Sequence, residues 1–281
     1  MSRCRNDGNA GLTPRLVVSD VDGTLVDKNK TLTPAVIDAV ARLRAAGVRF
    51  TLISARPMSG VLPIADELAL AEPLGAFNGG IVFRLGGEVL SHDRIAADVA
   101  RGVWAAARDV DVDCWVFADD CWYATTGEGK HAQSERTSAF QEPVVTDDLE
   151  PLLSRADKVT FVSDDEPLLR DLHDRIRGWS DRATIGQSQT YYLDVTAPTA
   201  NKGAGVEALA AAIGVDLADV VVIGDQANDL PMIARAGLSI VVGNAPPHVR
   251  AAADHVVASN TQDGVADAIV RVILPLIGAT P

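Results

Sequence analysis

The chain has 281 residues, of which 47% are hydrophobic and 22% charged, and its formal net charge is −13. This length is sufficient for a sizeable core and predicts two structural units. The acidic balance argues against nucleic acid as a partner, because phosphate backbones bind to basic surfaces. A small anionic substrate stays open, since a local cation can dominate the field inside a site.

The N-terminal residues 1–11 carry arginines but no apolar run, so we predict a flexible tail and not a signal peptide. No apolar stretch approaches the roughly twenty residues that a membrane-spanning helix needs. The cysteines Cys4, Cys114 and Cys121 form no even framework and lack metal-ligand spacing. Together these features predict a cytoplasmic protein with no membrane partner, and no obligate protein partner is evident.

A short β-branched run at 16–18 predicts a buried parallel strand, and acidic residues follow it closely. Asp20 and Asp22 therefore emerge at the carboxyl end of a strand, where open α/β sheets bind their ligands. Gly23 permits a tight turn, and Thr24 supplies a hydroxyl group. An Asp-x-Asp-Gly sequence is also frequent in ordinary loops, so its interpretation depends on the motifs that accompany it.

The next two elements support the same edge of the sheet. Thr33 and Pro34 have the residue types of a helix N-cap and first turn, and Gly47 is placed to end that helix. The following strand, 50–53, ends at Ser54, whose hydroxyl is suited to hydrogen-bond a phosphoryl oxygen. A second polar side chain is thus predicted beside the acidic pair.

Between Phe77 and Tyr192 the chain makes an excursion that is too long for a plain loop in a compact domain. We predict an inserted α/β cap at 83–192 that sets substrate specificity, and a catalytic core built from 12–82 and 193–281. Such a cap would close over the catalytic crevice and contact the part of the substrate that is not phosphate.

Strand and helix patterns alternate within the cap sequence. The segment 113–124 predicts a hairpin with an acidic turn, 158–162 predicts a strand, and 167–179 predicts an amphipathic helix. The cap is therefore predicted to be a mixed α/β unit.

Several side chains allow two interpretations. Trp115, Trp122 and Tyr123 are suited to stack on a sugar or another ring, but aromatics in a small sheet belong more often to the core. His131 lies in a glycine-containing loop, where a solvated histidine is more common than a substrate ligand. Arg56 is predicted as an ion-pair partner near the site, with a surface position as the alternative.

Towards the C terminus, an Asn-Lys-Gly sequence around Lys202 opens a helical pattern. The ammonium would neutralise charge on a phosphoryl group and on Asp20, although a lysine at such a position is more often a surface charge. The apolar run 220–223 predicts another buried strand, and an acidic loop follows it. Its Asp225 and Asp229 offer the hard oxygen ligands that Mg²⁺ takes.

Together these groups are typical of a site for phosphoryl transfer. Asp20 would attack phosphorus and form an aspartyl-phosphate, while Asp22 would protonate the leaving oxygen and then activate water. Ser54 and Lys202 would contact the phosphoryl group, and a bound Mg²⁺ would lie at the acidic loop.

In its order of motifs, Asp-x-Asp-Gly-Thr, a serine after the second strand, Lys-Gly and Gly-Asp-x-x-Asn-Asp, the chain resembles the haloacid dehalogenase (HAD) superfamily over nearly its whole length. It is most similar to the Cof-type hydrolases of that superfamily. This closer similarity rests on the turn 78–80, the strand 191–195 and the segments 242–245 and 259–265. The resemblance implies an α/β fold, with a Rossmann-like parallel-sheet HAD core and an inserted α/β cap domain.

The resemblance also implies a role for individual residues, with Asp20 as the nucleophile and Asp22 as the acid and base. The catalytic residues would be Asp20, Asp22, Ser54 and Lys202. The substrate-binding residues would be Gly23, Thr24, Ala55, Arg56, Asn78, Gly79, Asn228 and Asn244. The Mg²⁺ ligands would be Asp20, Asp22 through its carbonyl, Asp225 and Asp229. Ala55 stands where the group commonly has glycine, and alanine disfavours positive φ, so the turn after Ser54 is expected to differ slightly.

We therefore expect a Mg²⁺-dependent phosphatase that hydrolyses a small phosphorylated metabolite. A sugar phosphate is favoured, and a phosphorylated cofactor such as pyridoxal phosphate or flavin mononucleotide comes second. One alternative is a phosphosugar mutase, which would return the phosphate from Asp20 to another hydroxyl. The other is a protein that binds phosphorylated metabolites without turnover.

Overall fold

The computed structural model describes residues 12–279, so the predicted tail at 1–11, with Cys4, lies outside the described residues. The strands are β1 (Leu16–Ser19), β2 (Arg49–Leu52), β3 (Leu74–Ala76), β4 (Ile81–Phe83), β5 (Val89–His92), β6 (Asp113–Ala118), β7 (Cys121–Ala124), β8 (Val144–Val145), β9 (Ala156–Val162), β10 (Thr184–Gln189), β11 (Tyr192–Thr196), β12 (Val220–Gly224), β13 (Leu238–Val241) and β14 (His255–Val256). The α-helices are α1 (Pro34–Ala45), α2 (Met58–Glu67), α3 (Ala97–Ala107), α4 (Ala132–Ala139), α5 (Glu166–Ile176), α6 (Lys202–Ile213), α7 (Leu230–Ile233), α8 (Pro247–Arg250), α9 (Gly264–Ala268) and α10 (Leu274–Leu276).

The first sheet, which we call the core sheet, has five parallel strands in the order β14-β13-β12-β1-β2. Its apolar runs 16–18 and 220–223 are buried along their whole length. Strands covered on both faces need apolar side chains on both, which explains why these runs do not alternate with polar residues. Because β1 lies between β2 and β12, the residues that follow these three strands meet at one edge of the sheet.

The first helix has the predicted ends. Thr33 Oγ1 accepts a hydrogen bond from the Val36 amide at 3.3 Å, and Pro34 occupies the first turn. The helix ends at Ala45, and Gly47 follows with a φ of 89°, which glycine adopts without a steric penalty. The predicted cap and stop signals of α1 are therefore confirmed.

The second sheet has six strands in the order β10-β11-β9-β6-β7-β8, and neighbours are antiparallel except for β7 and β8. We call this sheet with α3, α4 and α5 the cap layer. The predicted hairpin is confirmed as β6 and β7, with Asp119 and Asp120 at φ values of 53° and 57° in its turn. The predicted strand at 158–162 is β9, which begins at Ala156, and the predicted helix at 167–179 is α5 with a following 3₁₀ turn.

A third, antiparallel sheet has the order β3-β4-β5, and Gly75 in β3 forms a parallel bridge with Ile53 just after β2. The turn that follows β3 packs directly on α6. A Cβ atom on Gly79, whose φ is 92°, would lie 2.4 Å from the Cα atom of Gly205. The two glycines permit this close approach, and it fixes the position of the helix that begins at Lys202.

The predicted α/β fold with a parallel-sheet core and an α/β cap is confirmed by these sheets. The exact division at 83–192 stays a prediction, and β11 (Tyr192–Thr196) extends the six-stranded sheet across the predicted boundary. Within residues 12–279, no helix combines the length and apolar character that crossing a bilayer requires.

Candidate active site

Asp20 lies at the carboxyl end of β1, where its amide donates to the Ile223 carbonyl at 2.9 Å. Its buried carboxylate accepts a short hydrogen bond from Lys202 Nζ. Lys202 Nζ also donates to Asp229 Oδ1 at 2.6 Å. Because Lys202 is only 1% exposed, the interpretation of this lysine as a surface charge does not apply. One ammonium therefore connects the predicted nucleophile with the distant acidic loop.

The balance of charge in this cluster is negative. Burial raises the pKa of Asp20, Lys202 opposes the shift, and the charge of Asp229 adds to it. Burial also raises the pKa of Asp225, and the charges of Asp20 and Asp229 act in the same direction. Burial alone would lower the pKa of Lys202, but Asp20 and Asp229 hold it above its ordinary value. Three buried carboxyl groups thus share one permanent cation.

The same carboxyl groups fit a divalent metal ion. One oxygen atom from each of Asp20, Asp225 and Asp229 lies within 4.8 Å of the others. An all-oxygen set suits Mg²⁺, and such an ion would offset buried negative charge that is otherwise costly. Asp229 Oδ2 already accepts the amides of Asp225 and Gln226 at 2.7 and 2.9 Å, and its Oδ1 accepts Lys202. The geometry therefore favours Asp20 and Asp225 as ligands over Asp229.

Asp22 is held by two cations. Arg56 donates from Nε to Asp22 Oδ2 at 2.6 Å and from a terminal nitrogen to Asp22 Oδ1 at 2.8 Å, and Lys30 Nζ lies 2.5 Å from Oδ1. Burial would raise the pKa of Asp22, but the hydrogen bonds and charges of Arg56 and Lys30 hold it well below its ordinary value. Arg56 is therefore an ion-pair partner at the site, as predicted, and Asp22 is a carboxylate in this arrangement.

The loop after β1 is tied to the loop after β12. Thr24 Oγ1 donates to Asp225 Oδ1 at 2.9 Å, and Asn244 Nδ2 donates to the Gly23 carbonyl at 2.8 Å and to Asp225 Oδ2 at 3.3 Å. Gly23 has a φ of 83°, and a Cβ atom there would lie 2.6 Å from Asp225 Oδ2. Thr24, Gly23 and Asn244 thus orient Asp225 within the site.

Ser54 and its neighbours form the next part of the edge. Ser54 is buried, and its Oγ accepts the Arg56 amide at 3.2 Å. Ala55 is not among the residues of positive φ in the described range 12–279, so alanine fits this turn without strain. Asn78, with a φ of 58°, accepts a hydrogen bond from Asn228 Nδ2 at 3.3 Å, which joins the turn after β3 to the acidic loop.

A cavity of about 60 Å³ adjoins Asp20 and separates the core sheet from the cap layer. On its core side lie Asp20, Asp22, Lys30, Ser54, Ala55, Arg56, Gln226 and Asn228. The wall in the cap layer consists of Ser134, Glu135, Ser138, Lys158, Gln189, Tyr191 and Tyr192. Gly23, Thr24, Asn78, Gly79 and Asn244 lie outside this wall. Asn78 instead lines a neighbouring cavity of about 250 Å³ with Lys202 and Asn228.

Sequence analysis missed the cap side of this cavity. Lys158 did carry a signal, because a lysine within a buried strand is unusual. Glu135 carried none, since α4 is a polar helix in which one more glutamate is unremarkable as a pattern. No sequence pattern indicated that Lys30 belongs to the site. Its position there depends on the conformation of the loop after Asp22, in which Lys30 has a φ of 64°.

Of the two interpretations given for the cap aromatics, the core position is confirmed for both tryptophans. Trp115 and Trp122 are 1% and 0% exposed and pack edge to face with 5.0 Å between ring centroids, so they belong to the core. Tyr191 lines the cavity instead, and His131 stacks on it with 3.8 Å between centroids. His131 Nε2 lies 2.8 Å from Asp164 Oδ1. This histidine therefore supports Tyr191 and does not project freely into solvent.

Comparisons with known proteins agree with this geometry. The profile of the haloacid dehalogenase-like hydrolases matches residues 17–269. An HMP-PP phosphatase of Escherichia fergusonii is 31% identical over 244 residues, which cover 86% of this chain and 88% of that protein. A haloacid dehalogenase-like hydrolase from Bacteroides thetaiotaomicron has a TM-score of 0.83 and 26% identity, covering 92% of this chain and all of the other. The HAD subclass IIB sugar phosphatase BT4131 shares the fold at a TM-score of 0.79 and 22% identity, covering 91% of this chain and 97% of that one.

The chain therefore belongs to the haloacid dehalogenase-like hydrolases, and the resemblance noted in its sequence is confirmed. Within that family it is a phosphatase, in keeping with its relatives and with an acidic, lysine-paired site at the carboxyl edge of the core sheet.

Proposed function

We propose that the protein is a Mg²⁺-dependent phosphatase that hydrolyses a small phosphorylated metabolite through an aspartyl-phosphate on Asp20. The observation that carries the proposal is the buried contact of Lys202 with both Asp20 and Asp229, within reach of Asp225. A carboxylate that attacks phosphorus needs nearby positive charge to approach an anionic substrate. Lys202 supplies that charge on the protein side.

Each residue then has a defined task. Asp20 forms the bond to phosphorus, Lys202 neutralises the phosphoryl oxygens, and Ser54 donates a hydrogen bond to one of them. A bound Mg²⁺ would be held by Asp20 and Asp225 and would offset the charge of the phosphoryl group. These assignments give a reason for four buried polar side chains at the carboxyl edge of the core sheet, namely Asp20, Ser54, Lys202 and Asp225.

Asp22 moves protons in this proposal. As long as Arg56 and Lys30 hold it ionised, Asp22 is suited to accept a proton from water and not to give one to a leaving oxygen. Donation therefore requires Asp22 first to part from Arg56 and to take up a proton from solvent, which it then gives to the leaving oxygen.

A sugar phosphate is our favoured substrate class, and the cytoplasm is the proposed compartment. The cavity beside Asp20 is walled by hydroxyl, amide and charged groups in the cap layer, which suits a polar leaving group better than an apolar one. HMP-PP is a second candidate substrate, because the Escherichia fergusonii relative is named as an HMP-PP phosphatase.

The test is phosphate release from a panel of sugar phosphates, nucleotides, phosphorylated cofactors and HMP-PP, with Mg²⁺ or with EDTA. We expect release from a few members of the panel, its loss in EDTA, and its loss in the Asp20→Asn variant. Transfer of phosphate to a second hydroxyl in place of water would support a mutase. Tight binding of panel members without release would support a binding protein.

A further inference from the structure

Two oppositely charged side chains of the cap layer face the catalytic cavity with little to bind to. Lys158 projects from β9, and Glu135 projects from α4. Both line the cavity that contains Asp20, and each is only 6% exposed. Buried charges are normally paired or fully hydrogen-bonded, so incomplete pairing at this place requires an explanation.

The ammonium of Lys158 has few partners. Its Nζ lies 4.3 Å from the centroid of the Phe117 ring and 3.5 Å from the Ala55 carbonyl oxygen, at the limit of a hydrogen bond. The ion pairs found among residues 12–279 do not include one for Lys158. A lysine has three N–H donors, and the ring face satisfies charge but accepts hydrogen bonds only weakly. Lys158 therefore keeps donor capacity on the cavity side.

The carboxyl group of Glu135 is in a similar position. The Tyr192 hydroxyl donates to Glu135 Oε2 at 3.4 Å, which is a long contact for two oxygen atoms. Burial raises the pKa of Glu135, and the charge of Lys158 opposes that shift. Glu135 therefore keeps acceptor capacity beside the donors of Lys158.

We propose that Lys158 and Glu135 form a donor and acceptor pair that recognises the hydroxyl groups of an uncharged, polyol leaving group. This inference rests on the proposed phosphatase function and names the feature of the substrate that the cap layer selects. A hydroxyl group both donates and accepts, so neighbouring hydroxyls match an ammonium and a carboxyl group side by side. A second anionic group would be attracted by Lys158 but opposed by Glu135.

The ring of Tyr191 completes the match. It lines the same cavity and is held in place by the stacked ring of His131, which contacts Asp164. An aromatic ring suits the C–H groups of a sugar, while the charged pair suits its hydroxyl groups. The cap layer thus lines the cavity with both an aromatic and a charged surface.

Size imposes a condition on this subsite. The cavity measures about 60 Å³, the space of roughly two water molecules in the liquid. A hexose is larger, so the proposed subsite requires the sugar to extend into the open mouth of the cavity or the cap layer to move away from the core sheet. Such a movement would also part Lys158 from the Ala55 carbonyl.

The test compares two substrates in Mg²⁺ with the wild type, Lys158→Met and Glu135→Gln. The hydroxyl-rich substrate is the best hexose phosphate of the panel, and the plain one is p-nitrophenyl phosphate, whose leaving group has no alcohol hydroxyls. Each variant should lower kcat/KM for the hexose phosphate by about 10- to 100-fold, the value of a hydrogen bond to a charged group. Hydrolysis of p-nitrophenyl phosphate should stay within about twofold, as for any change away from the reacting atoms.

Matched controls use the same residue types at exposed positions outside the subsite. Lys28→Met and Glu142→Gln alter exposed side chains, and both should leave the two activities unchanged. A second measurement uses a sugar phosphate that lacks one hydroxyl group. It compares two substrates on the wild type, so it does not depend on the stability of a variant. If the pair binds that hydroxyl, its removal should slow the wild type but have little further effect on Glu135→Gln.

The outcomes separate the subsite from the function. A wild type that hydrolyses neither substrate, nor any panel member, overturns the proposed function. A wild type active on p-nitrophenyl phosphate but on no hexose phosphate overturns the polyol subsite alone. Equal losses on both substrates would show a structural role for the pair. Some panel members carry a second anionic group. If Lys158→Met selectively loses activity on such a substrate and Glu135→Gln gains activity on it, the subsite binds an anion and not a polyol.

Discussion

The two sides of the cavity beside Asp20 differ in how completely their buried charges are paired. We call the loops at the carboxyl edge of the core sheet the core wall, and the side formed by the cap layer the cap wall. In the core wall, Lys202 joins Asp20 to Asp229, and Arg56 grips Asp22 through two hydrogen bonds. In the cap wall, buried charges have only weak contacts, such as the 3.5 Å contact of Lys158. A paired wall has its geometry set before any substrate arrives, as catalysis requires. An unsatisfied wall gains its partners from the substrate, and this is where specificity is expected.

The largest effect is expected where the core wall loses its proposed nucleophile. Asp20→Asn keeps the shape of the side chain but cannot form the aspartyl-phosphate, so kcat should fall by about four orders of magnitude or more. Circular dichroism should show an unchanged fold. Wild-type turnover by this variant would remove Asp20 from the reaction and erase the chemical distinction between the two walls.

Next in size is the cost of removing the cation that the core wall shares. Lys202→Met leaves two buried carboxyl groups without their partner, which should lower the free energy of unfolding by about 3–5 kcal/mol in urea titrations. Phosphate binding should weaken as well. Lys28→Met is the matched control, because this exposed lysine lies outside the site, and its effect should stay within about 0.5 kcal/mol. Equal unfolding curves for the two variants would contradict the interlocked core wall.

A smaller loss of stability is expected behind the core wall, at the contact that positions α6. Gly79→Ala combines a φ of 92° with a Cβ atom 2.4 Å from Gly205, so it should destabilise the protein by about 2–4 kcal/mol. Gly87→Ala shares a positive φ of 83° but meets no atom within 4 Å, and it should cost only about 1 kcal/mol. If both substitutions cost the same, the approach of the turn to α6 is not what holds Lys202 in place.

The smallest effect concerns chemistry in the cap layer away from the cavity. The Cys114 side chain is half-buried, and its desolvation, with a contribution from Asp113, raises the pKa of the thiol to about 12. Because the thiolate is the reactive form, Cys114 should be labelled slowly by iodoacetamide at pH 8 in the folded protein and readily in urea. Peptide mass mapping gives the ratio. Fast labelling of the folded protein would contradict the raised pKa of this thiol.

Much of the core wall could be predicted from the sequence because its residues follow buried strands. The parallel strands β1 and β12 can be recognised in the sequence as the apolar runs 16–18 and 220–223. The residues that follow them meet at the carboxyl edge of the sheet. Asp20 and Asp225 were predicted in this way. The grip of Arg56 on Asp22 was predicted only as a partner near the site, since bidentate geometry depends on side-chain conformations that no pattern reports.

The cap wall could not be predicted, for a physical reason. Glu135 and Lys158 come from a helix and a strand whose meeting depends on how the six-stranded sheet packs over the core. No short motif encodes such packing. Trp115 and Trp122 lie in the core, as aromatics in a small sheet more often do, and no pattern in the sequence distinguished Tyr191 as the ring that lines the cavity.

The hydrogen bond from Thr24 to Asp225 spans 201 positions of the chain, and this has a consequence for biosynthesis. On the ribosome, β1 and β2 emerge early, but the other edge of β1 waits for β12. Pairing between such distant segments forms late and slowly. A nascent chain therefore carries Asp20, the proposed nucleophile, for most of translation without the lysine and the acidic loop, and we expect it to stay inert towards cellular phosphate esters until the core sheet is complete.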